Sequence, residues 1–288
     1  MLKRRLIQPL ITIVATALLG GLLGATLVRM APGSDITQDE LNFQLSAQSK
    51  EYFRALHARE QHVFTFYGYY LAELAKGDLG YSLLFQRPIS ELLKERLPVT
   101  ITGIVLGVLV GWALGFLFAV PASLRSSTAY SSFSTLFSGL FLCIPSAVLA
   151  LLFLVFRWPA QLAIALIVFP NVFRYLRNLL VKTYRMPYVV TAKARGLGSA
   201  RIFFWHVLPN LSAPLIALAG ISVSIALGAA IPVEVVTDTP GIGQLAWRAA
   251  LGRDVPLLVS LTLIIAVVTV AANSFSDLMA PVRAGDLR

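Results

Sequence analysis

His57-Ala-Arg-Glu-Gln-His62 places two histidines and a glutamate close together, a composition that could hold a metal ion. The order is not His-Glu-x-x-His, and a five-residue spacing turns the two imidazoles onto different faces of a helix. The segment therefore lacks the pattern of a zinc hydrolase. Two carboxylates stand beside apolar runs, Glu234 and Asp277. Glu234 reads either as a gate or contact at an outer mouth or as a surface carboxylate. Asp277 would pair with Arg283 or face water. No Gly-x-x-x-x-Gly-Lys-Ser/Thr is present, so no nucleotide site is expected on this chain. The single cysteine, Cys143, excludes a disulfide within the chain and a cysteine metal centre. No metal, no cofactor and no catalytic residue is expected.

The densest chemistry is basic. Pro187-Tyr-Val-Val-Thr-Ala-Lys-Ala-Arg-Gly-Leu-Gly198 runs into Ser-Ala-Arg-Ile-Phe-Phe-Trp-His-Val-Leu-Pro-Asn210. The first half predicts a short alanine-rich helix carrying Lys193 and Arg195, stopped by Gly196 and Gly198. The second half predicts another helix, ended by Pro209. Two short helices meeting at a glycine would form a rigid knuckle. The plainer alternative is a basic loop that only fixes topology.

The elements that must hold this knuckle are apolar. Of 288 residues, 57% are hydrophobic and 13% charged, and mean hydropathy is +0.76. A soluble domain carries roughly a quarter charged residues. A soluble fold of this length would have to bury nearly all its surface, which geometry forbids. Bilayer is the natural solvent for the excess. The net charge of +10 sits beside apolar runs, so it reads as topology signal and anionic-lipid contact rather than as a nucleic-acid surface.

A spanning helix needs about 20 apolar residues. Six candidates emerge: Pro9–Met30, Val99–Pro121, Phe133–Phe156, Ala160–Leu180, Leu211–Val233 and Leu257–Ala280. A cleaved signal peptide competes for the first, but that run is longer than an h-region and carries Gly20, Gly21 and Gly24. Lys3, Arg4, Arg5, Arg125 and the cluster from Arg174 to Arg201 mark one side of the membrane, which places both termini in the cytoplasm. Residues 1–30 form the terminus and first span, 31–98 an external segment, and 99–288 a five-helix core. In the external segment, Gln38–Arg59 and Val63–Ala75 read as helices and Gly77-Asp-Leu-Gly80 as a turn. Pro88–Leu97 reads as an amphipathic helix, lying along the membrane surface or packed on protein.

Gly103, Gly107, Gly111 and Gly115 recur every fourth residue and bare one face of the second span for close approach of another backbone. Gly220, Ser224 and Gly228 repeat the spacing in the fifth. Pro145 and Pro170 sit inside the third and fourth spans, where each breaks the helical ladder. The result would be a kink lining a pathway or a kink in a static bundle.

Thr191-Ala-Lys-Ala-Arg-Gly-Leu197 and His206-x-Leu-Pro-Asn210 resemble the EAA loop of ABC importer permeases, in the form used by the dipeptide/oligopeptide/nickel family. The resemblance extends over nearly the whole chain. Gly77-Asp-Leu-Gly-Tyr-Ser82 with Arg87-Pro88, Ile144-Pro-Ser146, Glu234, Pro240-Gly-Ile-Gly243, Arg253-Asp254-Val-Pro256, Asn273 and Asp277 all look like family positions. The Gly-Asp-Leu-Gly motif and the long outer segment favour the first, B-type, of two paired permeases. The chain departs from the pattern at Pro187, at Ala280-Pro-Val-Arg283 and in the near absence of a stretch between the third and fourth spans, where only Arg157, Trp158 and Pro159 stand.

The resemblance implies an all-α, polytopic, six-helix type I permease fold with an external helical segment, in a bacterial inner membrane. It implies a pathway shared with a paralogous second permease, two ABC ATPase subunits that carry ATP-Mg, and an external solute-binding protein. The loop 187–210 would couple to the ATPase, with Ala192 and Ala194 permitting close contact and Lys193 and Arg195 meeting acids there. Pro145, Ser146, Glu234, Pro240, Gly241 and Gly243 are the candidate pathway or outer gate. A secondary transporter, or another polytopic membrane protein not coupled to an ATPase, is the competing reading, although no clear internal repeat and no acid at a span centre supports a secondary transporter.

Overall fold

The computed structural model describes Ile11, Ala15, Leu19 and Thr26, all helical, and residues 77–124 and 128–279. Most of the expected first span, the expected outer helices Gln38–Arg59 and Val63–Ala75, His57, His62 and Arg283 lie outside the described residues. The described elements are helices: α1 Ile89–Leu124, α2 Thr128–Cys143, α3 Ser146–Val155, α4 Ala160–Tyr184, α5 Pro187–Ala194, α6 Ser199–Ile202, α7 Ser212–Val236, α8 Ile242–Leu251 and α9 Val255–Met279. The one pairing of extended backbone among them is an isolated bridge between Tyr81 and Pro88. Among the described residues, four helical runs are long and apolar enough to cross a membrane, five if the bent pair of α2 and α3 counts as one.

The described residues fall into two compact units, 77–100 with 240–270, and 101–239 with 271–279. The second holds the larger core, and α4 is its axis. Val168, Phe169, Val172, Phe173, Leu176 and Leu180 on α4 are all fully buried. Phe118, Phe137, Phe141 and Phe169 form a ring cluster with centroids 5.1–6.3 Å apart that ties α1, α2 and α4 together. Such ring pairs add about 0.5–1.5 kcal/mol each beyond burial. Trp112 Nε1 donates to Ser222 Oγ at 3.0 Å, and Ser224 Oγ donates to Asn273 Oδ1 at 3.2 Å. In lipid such bonds between helices replace part of the association that water would otherwise drive.

The expected break at Pro145 is present, and two other expectations about proline segments are corrected here. The third span is not one helix. Its two halves meet at Ile144-Pro145 with a bend of 94°. Pro145 has no N–H to donate back to α2, so the ladder stops and restarts, Leu149 N donating to Pro145 O at 3.1 Å. Pro170 does not break the fourth span. It lies buried within α4, where packing on all sides holds the helix through the missing bond. Pro88–Leu97 is not a separate helix on the membrane surface. It opens α1, which runs on through Pro98.

The first unit explains that last result. Ile89, Leu92 and Leu93 are buried with Ile242, Leu245 and Ala249 of α8 and Leu257 and Leu261 of α9. The apolar face of the amphipathic stretch is thus spent on protein, the second of its two readings. Polar bonds finish the seam: Ile242 N donates to Thr100 Oγ1 at 2.8 Å and Arg96 Nη1 to Gln244 Oε1 at 3.1 Å.

Candidate functional site

The basic knuckle is built as a folded corner. Pro187 stands at the first turn of α5, where its missing N–H costs nothing. The helix closes in a Schellman motif: Leu197 N donates to Ala192 O at 3.3 Å and Gly196 N to Lys193 O at 3.0 Å. Gly196 adopts φ +72°, a conformation an L side chain strains to reach. Gly198 plays a different part from the one expected. Its φ is −65°, and it caps the start of α6 rather than the end of α5.

The second arm does not end at Pro209, contrary to expectation. From Ser199 the chain stays helical to Val236, passing from α6 through a π turn at Phe203–Val207 and a 3-10 turn at Pro209–Leu211 into α7. Pro209 has no N–H and its ring crowds the preceding carbonyl, so the ladder widens before it and tightens after it instead of stopping. Leu208 N donates to Phe203 O at 2.8 Å, and Asn210 Nδ2 satisfies His206 O at 2.8 Å. The arm is therefore the N-terminal extension of a membrane span.

Buried anchors fix the knuckle to the second unit. Val189, Ala192, Ile202, Val207 and Leu211 share a core with Phe169, Phe173, Leu176 and Leu180 of α4. Leu197 packs partly against it. Ala192 is only 4% exposed, so it cannot serve as the expected contact for another protein. Thr191, Lys193, Ala194, Arg195 and Gly196 face outward. Thr191 Oγ1 bonds back to Pro187 O at 3.0 Å, and Lys193 Nζ lies 5.5 Å from the Tyr184 ring centroid, within cation–π reach. His206 is half-buried, and its Nδ1 is buried with no hydrogen-bond partner.

Close approach explains the glycine stripe on α1. A Cβ at Gly107 would lie 2.6 Å from Ile164 Cγ2, one at Gly111 2.9 Å from Ala165 O, and one at Gly115 2.5 Å from Val172 Cγ1. Gly103 differs, its Cβ meeting only Ile164 Cδ1 at an ordinary 3.7 Å. The backbone of α1 rests directly on α4. In the fifth span, a Cβ at Gly228 would meet nothing within 4 Å.

The candidate gate residues come from the α2–α3 bend, the end of α7 and the start of α8. Pro145 is exposed at the bend, and Ser146 is half-buried beside it. Glu234 is buried, 4% exposed, within the last turn of α7, which rules out its reading as a surface carboxylate. Gly241 and Gly243 are buried and Pro240 exposed at the start of α8, in the first unit, whereas Glu234 belongs to the second.

Two of the family-like motifs, at Ser82 and Asp254, meet in a polar centre that spacing along the chain did not foretell. Asp254, fully buried, caps α9 by accepting from Leu257 N at 3.1 Å, and also accepts from Ser82 Oγ and from Leu84 N at 3.1 Å. Ser82 Oγ accepts in turn from Phe85 N at 3.1 Å. The Gly77–Ser82 motif supplies the approach. Gly77 and Gly80 take φ +86° and +80°, and Asp78 Oδ1 accepts from Gly80 N at 2.8 Å. A Cβ on Gly252 would meet Leu84 at 2.9 Å. Burial pushes the Asp254 carboxyl above the ordinary carboxylate range, while the bonds from Ser82, Leu84, Leu257 and Leu83 work against that shift. The available signal was an aspartate three residues before an apolar run, a helix-start pattern.

The described residues thus form a helical bundle with several spans of membrane length, one broken at a proline, and a glycine-hinged basic knuckle between two others. The chain belongs to the family described as binding-protein-dependent transport system inner membrane component, whose pattern matches residues 103–283. It is similar to the oligopeptide transport system permease protein AppB of Bacillus subtilis, at 24% identity over 90% of this chain and 90% of that protein. It is also similar to the oligopeptide transport system permease protein OppB of Salmonella typhimurium, at 27% over 83% and 84%, and to a putative peptide permease of Brucella ovis, at 30% over 73% and 75%. The chain is thus a multi-pass membrane permease subunit of an ABC importer, not an ion-coupled secondary carrier.

Proposed function

We propose that this permease forms half of a pathway for peptides or peptide-like solutes, delivered by an external binding protein. The names of its relatives motivate the solute class. The other half is a paralogous permease, this chain being the B-type partner. Two ABC ATPase subunits binding ATP-Mg supply the energy. Both termini face the cytoplasm, with residues 31–98 outside. Between Glu95 and Glu234 the sequence contains no acid, while Arg174, Arg177, Lys182, Arg185, Lys193, Arg195 and Arg201 crowd one end of the fourth and fifth spans.

The observation that carries the reading is the knuckle. Its corner at Gly196 is closed by a Schellman turn at φ +72°, its outer face presents Lys193 and Arg195, and its second arm continues into α7. Docked in an acidic groove of an ATPase, this corner turns closure of the nucleotide sites into a tilt of a spanning helix. Thr191, Lys193, Ala194 and Arg195 make the contact. Ala192, Leu197, His206, Pro209 and Asn210 hold its shape. Pro145, Ser146, Glu234, Pro240, Gly241 and Gly243 belong to the pathway or its outer gate.

The test is co-expression of the tagged permease with its partner permease and ATPase, followed by pull-down and ATP-driven uptake of peptide into proteoliposomes. The ATPase is expected to co-purify, and charge reversal at Lys193 and Arg195 to weaken that capture while the permease still inserts. Capture of no ATPase by the intact chain would sink the coupling role.

A further inference from the structure

A shallow groove of about 460 Å³ opens at the basic end of α4, lined by Arg177, Asn178, Val181, Lys182, Arg185 and Met186. Three cations and an amide face one concavity that holds no carboxylate. Lys182 and Arg185 are exposed, and neither forms an ion pair among the described residues. Arg177 is held from behind: its Nη2 donates to Ser131 Oγ at 2.6 Å, and its Nε is buried without an acceptor. Its charge is fixed in place and uncompensated within the described chain.

Depth decides what such a groove meets. At 1.5 Å per residue, α4 rises about 26 Å from Ala160 to Arg177 and about 37 Å to the position of Arg185. A hydrocarbon core is about 30 Å thick, so the groove straddles its edge, where phosphates of the lipid headgroups lie. Tyr175 and Tyr188, two residues before Arg177 and two after Met186 in sequence, are each 39% exposed, and exposed tyrosines are common at a membrane interface. Val181 and Met186 give the lining an apolar portion beside the cations, suited to a ligand with a charged head and a greasy tail.

We propose that this groove is a binding site for one anionic phospholipid, its phosphate held by Lys182 and Arg185 against the fixed guanidinium of Arg177. The site depends on membrane insertion of α4, not on the coupling role of the knuckle. A basic groove at this depth binds an anionic headgroup through both charge and donors, each cation adding about a fivefold gain in affinity.

The test uses the full chain in non-ionic detergent, delipidated and titrated with phosphatidylglycerol or phosphatidylcholine, with bound lipid counted by native mass spectrometry. Retention of one phosphatidylglycerol is expected, with phosphatidylcholine bound far more weakly. Lys182→Ala and Arg185→Ala should each weaken phosphatidylglycerol about fivefold and the double variant about 25-fold. Lys182→Arg, which keeps the charge, should restore binding and show that the fold is intact. Displacement of the lipid by excess inorganic phosphate would identify a free-anion site and overturn the lipid assignment. Equal binding of both lipids would overturn it too. So would a double variant that keeps its phosphatidylglycerol but loses the ATPase subunit in pull-down, since the groove would then be a protein interface.

Discussion

Ser82 donates a hydrogen bond to the carboxylate of Asp254, joining two motifs that lie 172 residues apart in sequence. Leu84 N and Leu257 N donate to the same carboxylate, so one buried side chain fastens the turn before α1 to the start of α9. Asp254→Ala would remove a helix cap, worth about 1 kcal/mol, and leave buried donors unsatisfied at about 1–3 kcal/mol each. We expect a marked fall in the melting temperature of the detergent-solubilised chain, and a smaller one for Ser82→Ala. In a double-mutant cycle the pair should couple by about 0.5–3 kcal/mol. Additive effects would mean the bond contributes nothing.

The same carboxyl should make stability depend on pH. Its folded value lies above the ordinary one because burial disfavours the charge. Between the ordinary carboxylate value and the raised one, the folded chain binds more protons than the unfolded chain, so unfolding free energy falls as pH rises. The contribution is present in acid and lost as pH rises through the raised value. Asp254→Asn mimics the protonated form and keeps the cap. Its melting temperature should match wild type in acid and gain on it as pH increases. A difference that does not vary with pH would refute this assignment.

Gly196 and Gly198 should respond in opposite ways. A β-branched residue at φ +72° costs at least about 1–2 kcal/mol and displaces the corner of the knuckle. Gly196→Val should abolish peptide-driven stimulation of ATP hydrolysis and uptake while insertion in the membrane stays normal. Gly198 has φ −65° and open space around its Cβ, so Gly198→Ala should transport like wild type. Equal behaviour of the two variants would contradict the corner geometry.

The glycine stripe of α1 should be graded along its length. Gly107→Ala and Gly115→Ala place a methyl 2.6 Å and 2.5 Å from Ile164 and Val172, so each should destabilise by about 1–3 kcal/mol through overpacking. Gly103→Ala meets only ordinary contact and should be tolerated. Thermal unfolding of the three variants reads the order directly, and a loss at Gly103 equal to that at Gly115 would be inconsistent with this packing.

Much of the bundle was legible because lipid imposes simple rules. Apolar runs of spanning length, positive charge at one set of ends and glycines at fourfold spacing are local properties of the chain, and the second, fourth, fifth and sixth expected spans agree with α1, α4, α7 and α9 within a few residues apart from the early start of α1. The glycine close of α5 was equally local, since the Schellman turn uses only neighbouring residues.

Prolines were the least legible residues. Pro145, Pro170 and Pro209 each lack the same N–H, yet the chain bends by 94° at the first, runs straight through the second and shifts between π and 3-10 turns at the third. The difference lies in the surroundings. Pro170 is enclosed by its core, whereas Pro145 is exposed at the bend.

The sequence by itself determined that this is a multi-spanning helical membrane protein with a basic, glycine-hinged corner between two spans, because hydropathy, charge and glycine chemistry act over a few residues. Tertiary structure alone decided that Ala192 is buried and not a contact, that the knuckle's second arm is an extension of α7, and that Ser82 and Asp254 meet. Each of those depends on which distant side chain fills the space beside it, and spacing along the chain carries no record of that.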